Sequence, residues 1–157
     1  MDNTALTAAF TEAVGSTKVS LYRIALSMMR NVADAEDAVS SALEITWAHR
    51  FTIRDPGKFV PYLMRTTVHA CHAILRKHKR EFASDDLESL AGQTLDESPM
   101  WEYLSNLPEN YRLPLILRYG ENMPEKEISA VLGLTRGTVS SRLSRGLSLL
   151  REQMKEE

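Results

Sequence analysis

Apolar residues recur at three- and four-residue steps along most of this 157-residue chain, and only between Glu81 and Pro99 is the pattern missing. That period belongs to helices that bury one face, so it fixes both the secondary structure and the places where the chain must be divided. Leu21, Ile24, Ala25, Met28 and Met29 predict one helix, broken at Asn31. A second is expected to be capped or opened by Asp34, with Val39, Ala42, Leu43 and Ile45 as apolar positions up to Trp47. Asp55-Pro56-Gly57 reads as a turn. A third helix follows from about Lys58 to His78, with Leu63, Thr67, Ala70 and Ile74 facing inward and Pro61 tolerated in the first turn. Beyond the interruption, helices are expected over Trp101–Leu107, Tyr111–Tyr119, Glu125–Leu132 and from Gly137 to about Met154. No strand-like alternation, internal repeat or low-complexity tract competes with this reading. The expected fold is all-α: two small helical domains, 1–80 and 99–157, joined by a flexible acidic linker over 81–98.

Composition removes several classes of function. With 43% hydrophobic and 25% charged residues, the chain has the make-up of a globular protein and not of a disordered one. No apolar run approaches the roughly 20 residues that a membrane span needs, and Met1-Asp2-Asn3-Thr4 does not start a signal peptide. Cys71 is the single cysteine, so no internal disulfide can form, which fits a reducing compartment. A cytoplasmic protein without membrane contact of its own is expected.

The net charge of −2 hides a segregated distribution. Between Arg65 and Arg80 stand five Lys/Arg and three His with no acid; between Glu81 and Glu102, seven acids with no base; between Thr135 and Arg151, four Arg with no acid. A polyanion responds to local charge density, so the two basic stretches are candidate nucleic-acid footprints.

The second basic stretch has the pattern of a helix-turn-helix. Ile128, Val131 and Leu132 give its first helix an inner face, and Gly133 stands where a tight turn needs a positive φ. Leu134 can fill the corner, and Thr135 is a good N-cap for the next helix. There Val139, Leu143, Leu147 and Leu150 point inward, leaving Thr138, Ser141, Arg142, Ser144 and Arg145 outward with Ser140 on the flank. Short hydroxyls beside arginines suit a helix that enters the major groove, some side chains reaching base edges and others phosphates. A plain helical hairpin with a basic exposed face is the competing structural explanation.

The first basic stretch carries a different surface. Tyr62, Arg65, His69, His72, Arg76 and Lys79 step by three and four, forming one stripe along the third helix. One phenol, two imidazoles and three cations suit single-stranded DNA, whose bases stack on rings and whose phosphates attract cations. Phe59 is expected to add a further stacking surface. The second helix contrasts with both: Asp34, Glu36, Asp37, Ser40, Ser41 and Glu44 are polar or acidic without a base among them, which suits a protein partner.

Taken together, these segments resemble the extracytoplasmic-function group of bacterial sigma factors. Leu21-Tyr22-Arg23-Ile24-Ala25 and Asp34-Ala35-Glu36-Asp37-Ala38-Val39 are similar to its region 2. Leu107 to Arg112, Leu117-Arg118-Tyr119, Glu127-Ile128, Leu132-Gly133 and Gly137 to Gly146 are similar to its region 4. The resemblance implies a protein that binds core RNA polymerase through its clamp helices and flap, directs it to promoter DNA and helps melt the start region. It implies minus-35 contacts at Arg118, Ser140, Ser141, Ser144 and Arg145, with Arg136, Thr138 and Arg142 on the backbone. On the opened minus-10 strand it implies Phe59, Tyr62, Arg65, His69 and Arg76, the stripe adding His72. Asp34, Asp37, Ser40, Ser41 and Glu44 fall where the family docks on polymerase, and an anti-sigma factor is the implied regulator. In this chain Ser40-Ser41 replaces a usual Gln-Glu, Tyr62 a usual Trp, and His69 a usual Asn.

The alternative is a stand-alone helix-turn-helix regulator that binds its operator without polymerase. An enzyme is not expected, since no nucleophile–base pair is recognisable. Nor is a cofactor or a metal site: His69 and His72 share a face, but Cys71 projects about 100° from His72 and no second ligand pair has zinc spacing.

Overall fold

The computed structural model describes residues 2–81 and 99–156 of the chain. All the described regular structure is helical. It divides into two compact units, Met1–Gln93 and Thr94–Glu157. Apart from Glu81, which ends a helix, the expected linker over 81–98 lies outside the described residues.

In the first unit, α1 (Asn3–Met29), α2 (Val32–Ala48) and α3 (Phe59–Glu81) pack pairwise against one another. Asp2 opens α1, its Oδ1 accepting the Ala5 N–H at 2.7 Å. Arg30 closes it in the left-handed region (φ 54°), donating its N–H to the Leu26 carbonyl. The cap of α2 is Asn31 and not Asp34: Asn31 Oδ1 accepts the Asp34 N–H at 2.9 Å. Asp34 instead lies in the first turn, where its charge complements the helix dipole. Between α2 and α3, Asp55 Oδ1 accepts the Gly57 N–H at 3.0 Å and a short 3₁₀ turn over Pro56–Lys58 leads into α3.

The core of this unit is Leu21, Ile24 and Ala25 from α1, Ala35, Ala38 and Ala42 from α2, and Phe59, Leu63, Thr67 and Cys71 from α3, all fully buried. The alanine face of α2 is what permits close approach of its neighbours. Each large apolar side chain buried this way contributes about 1.5–3 kcal/mol. Thr67 keeps its hydroxyl satisfied inside the core by donating to the Leu63 carbonyl at 2.8 Å. Of the expected inner stripe of α3, Leu63, Thr67 and Ala70 are buried and Ile74 half-buried.

In the second unit, α4 (Pro99–Ser105), α5 (Glu109–Leu115), α6 (Glu125–Leu132) and α7 (Arg136–Lys155) surround Leu117, Ile128, Val131 and Val139. The single helix expected over Tyr111–Tyr119 is observed in two parts, because α5 carries Pro114 and then widens into a π turn over Ile116–Gly120. Pro114 has no N–H for the helical ladder. The wide turn is closed by Glu121 N–H to the Ile116 carbonyl (3.0 Å), and Met123 N–H reaches Leu117 (3.0 Å). Gly146 lets α7 lie close against α5, with no room for a Cβ beside Leu115.

Candidate nucleic-acid interface

The second unit presents α7 as its sequence demands. Gly133 ends α6 with φ +67°, where a Cβ would be strained, and its N–H returns to the Ser129 carbonyl. Leu134 N–H goes to the same carbonyl at 3.1 Å, while Ser129 Oγ donates to the Leu134 carbonyl. Leu134 is half-buried at the corner between α6 and α7. Thr135 then caps α7, its Oγ1 accepting the Thr138 N–H at 3.2 Å. Val139, Leu143 and Leu150 are buried and Leu147 half-buried, so the inward row anchors the helix.

The opposite face is open. Arg136, Ser140, Ser141, Ser144 and Arg145 are exposed, with Thr138 and Arg142 half-buried beside them. Thr138 Oγ1 lies 2.9 Å from Thr135 Oγ1, so this hydroxyl is shared with the cap. The result is a donor-rich surface without an acid, on a helix whose N-terminal turns carry positive partial charge. Arg118 stands apart from α7 in the chain, on the π turn. Its Nη1 approaches the Met123 carbonyl at 3.4 Å, and its Cζ lies 5.9 Å from the Tyr119 ring centroid.

In the first unit, α3 carries the expected stripe, with Arg65, His69, Arg76 and Lys79 exposed and Tyr62 and His72 half-buried. Desolvation by partial burial, followed by the charges of Arg65, His72 and Arg76, holds the His69 imidazole below the usual histidine range. His69 is therefore a neutral hydrogen-bonding group amid cations at neutral pH. Phe59 does not belong to this surface. It is fully buried, with its ring 6.0 Å from that of Phe10 in an edge-to-face arrangement, and Phe10 packs in turn on Trp47 at 5.1 Å. The stacking role expected of Phe59 is thus withdrawn, because α1 covers the first turn of α3.

The acidic face of α2 has Asp37, Ser40 and Glu44 exposed and Asp34 and Ser41 half-buried. These five residues line one wall of a shallow groove whose other wall is Ile74, Lys77, His78 and Glu81 of α3. His78 Nε2 lies 3.0 Å from Asp34 Oδ2, so the face that reads as free of bases in sequence is bordered by two. No local signal links His78 to Asp34, which are 44 positions apart. Among the described residues, no three His, Cys, Asp or Glu side chains converge as a metal site would require, and no helix is long and apolar enough to cross a membrane.

Comparison with known proteins gives these surfaces a context. Residues 14–81 match the family model described as sigma-70 region 2, and residues 99–150 that described as sigma-70, region 4. The chain is 31% identical over 145 residues to RNA polymerase sigma factor SigV of Bacillus subtilis, covering 89% of this chain and 87% of that protein. It is 30% identical to the ECF RNA polymerase sigma factor SigM of the same organism, with 83% and 86% covered. Among solved structures, the sigma factor RpoE in complex with the anti-sigma factor NepR from Bartonella quintana superposes with a TM-score of 0.78 at 22% identity, over 93% of this chain and 96% of that one. CnrH in complex with the cytosolic domain of CnrY gives 0.71 at 22% identity, over 94% and 88%.

Proposed function

The chain belongs to the extracytoplasmic-function group of sigma-70 factors, which serve promoter-specific transcription, and from that premise we propose how its surfaces divide the work. Residues 1–80 act as region 2, 81–98 as the linker and 99–157 as region 4. The protein joins core RNA polymerase in the cytoplasm through Asp34, Asp37, Ser40, Ser41 and Glu44 on the clamp helices, with the flap as a second contact. Region 4 reads the minus-35 element as duplex. There Arg118, Ser140, Ser141, Ser144 and Arg145 contact the element itself, while Arg136, Thr138 and Arg142 hold the backbone. Region 2 holds the opened minus-10 strand on Tyr62, Arg65, His69, His72 and Arg76.

The observation that carries this reading is the exposed, acid-free Ser/Arg face of α7, rigidly presented by the Gly133 turn and the Thr135 cap. An anti-sigma protein covering these surfaces is the matching regulator, as the structural neighbour RpoE was solved with the anti-sigma factor NepR and the neighbour CnrH with the cytosolic domain of CnrY. The stand-alone regulator is not favoured, because both sigma regions match in order along the chain.

Run-off transcription tests the proposal. Added to core polymerase, the protein should start transcripts from a subset of genomic fragments at two elements of fixed spacing. Failure to fire any promoter, together with failure to co-purify with core polymerase, would refute it. Arg145→Ala should cost about 1–3 kcal/mol at a single minus-35 base position. An equal loss across all sequences would reassign Arg145 to the backbone.

A further inference from the structure

One of the α2 side chains assigned to polymerase docking is already engaged within the fold. Asp34 Oδ2 lies 3.0 Å from Nε2 of His78, which stands on the opposite wall of the groove between α2 and α3. Asp37 and Glu44, the other carboxylates on the α2 wall, are exposed. The two members of the pair are part-buried, with side chains 22% accessible for Asp34 and 24% for His78, so water screens them less than a fully exposed pair. Lys77 and Glu81, which line the same groove, make the contrast: they stand 4.0 Å apart with side chains 65% and 51% exposed.

The helices favour the contact. Asp34 is in the first turn of α2 and His78 in the last turn of α3. The positive end of one helix dipole therefore carries the acid and the negative end of the other carries the base. Asn31 Oδ1 fixes the backbone of Asp34 by accepting its N–H at 2.9 Å, so the side chain and not the helix must turn for Asp34 to change partners. Facing a carboxylate, Nε2 is the donor, whether or not the imidazole is charged.

A partner that docks on carboxylates brings cations to them. While His78 holds Oδ2, Asp34 offers such a cation Oδ1 alone. A guanidinium that grips both oxygens has to displace the imidazole first. Docking at Asp34 is thus an exchange of one contact for another, and its net strength is the difference between the two. We propose that His78 is a latch on Asp34, an internal competitor that holds the affinity of the chain for core RNA polymerase below the value its carboxylates could reach. The proposal rests on reading the α2 face as the polymerase-docking surface, and it adds the regulation of that surface by a residue of α3. His78 acts through Asp34 and is a positioning residue, not a further contact.

The test is equilibrium binding of the full chain, labelled at its N-terminus, to core RNA polymerase without promoter DNA. His78→Ala should bind about two- to fivefold more tightly than wild type, the range open to a pair of this exposure. Asp34→Asn should weaken binding, and adding His78→Ala to it should bring no gain, because the latch then has no carboxylate to hold. His78→Gln keeps most of the bulk and loses the charge, and it should fall between wild type and His78→Ala. Circular dichroism checks that each variant folds, and a folding defect would lower affinity where the latch predicts a rise. If His78→Ala binds as wild type or more weakly while Asp34→Asn is weakened, the docking surface stands and the latch is wrong. If Asp34→Asn binds as wild type, Asp34 is no docking residue and both readings fall. If His78→Ala tightens binding equally in the Asp34→Asn background, His78 acts on polymerase by its own charge and the latch is overturned.

Discussion

A methyl group added at Gly146 would lie 2.9 Å from Leu115 Cδ1 and 3.3 Å from its Cγ, with the Tyr111 carbonyl oxygen at 3.5 Å. Leu115 is only 3% exposed, so its side chain has little empty space to move into. Forcing an extra methyl group into such packing costs about 1–3 kcal/mol. Against that, alanine in a helix interior is favoured over glycine by about 0.5–1 kcal/mol. Gly137 provides the matched control: it lies in the same helix, and a Cβ there meets nothing within 4 Å. Gly137→Ala should therefore keep whatever helical gain its position allows, while Gly146→Ala loses more than it gains. The difference between the two variants isolates the overlap and should be about 1–3 kcal/mol. For a unit this small, each kcal/mol shifts Tm by about 4–8 °C. Urea denaturation followed through Trp101 in α4, with Trp47 replaced by Phe, reports this unit alone. Equal stabilities for the two variants, or a Gly146→Ala variant firmer than wild type, would show that α5 and α7 do not depend on the missing side chain.

Three further outcomes are expected. Thr135→Ala removes the cap of α7 and should destabilise the second unit by about 1 kcal/mol, with Thr135→Gly costing only a few tenths; calorimetry decides, and equal losses would deny the cap its role. The His78–Asp34 pair is part-exposed, with side chains 24% and 22% accessible, so a double-mutant cycle with His78→Ala and Asp34→Ala should give a coupling below about 1 kcal/mol that shrinks with salt. A larger, salt-insensitive coupling would mean that the pair is effectively buried. His69 should titrate by NMR below the ordinary value of 6.5, owing first to desolvation and then to Arg65, His72 and Arg76. Because the unfolded chain then binds the proton more readily, wild type should lose stability relative to His69→Gln as pH falls from 6.5 toward the folded midpoint, and a midpoint at or above 6.5 would refute the cause given.

Much of the candidate interface was legible because it depends on local rules. Turn and cap chemistry at Gly133 and Thr135 are set by φ and by the first orphan amides of a helix, both of which adjacent residues decide. The stripe from Tyr62 to Lys79 follows from the helical period alone. Phe59 was misread because it lies three residues before Tyr62 and four before Leu63, so the period places it on the exposed stripe and the buried one at once. Asn31 and Asp34 are both competent caps, and only the backbone at Asn31 (φ −148°, extended) chooses between them. The exposed ring of Phe51 left no periodic trace, since it sits in a turn.

The sequence by itself determined where helices run, where α6 turns into α7, and which faces carry arginine, imidazole or carboxylate, because each of these is written within a few residues. Tertiary structure alone decided the contacts made across long stretches of chain. Phe10 covers Phe59, His78 reaches Asp34, Leu115 occupies the space that a side chain at Gly146 would need, and Arg50 finds Trp47 on one side and Phe51 on the other. Side-chain burial depends on what the rest of the chain brings against a position, and a helical period carries no information about that.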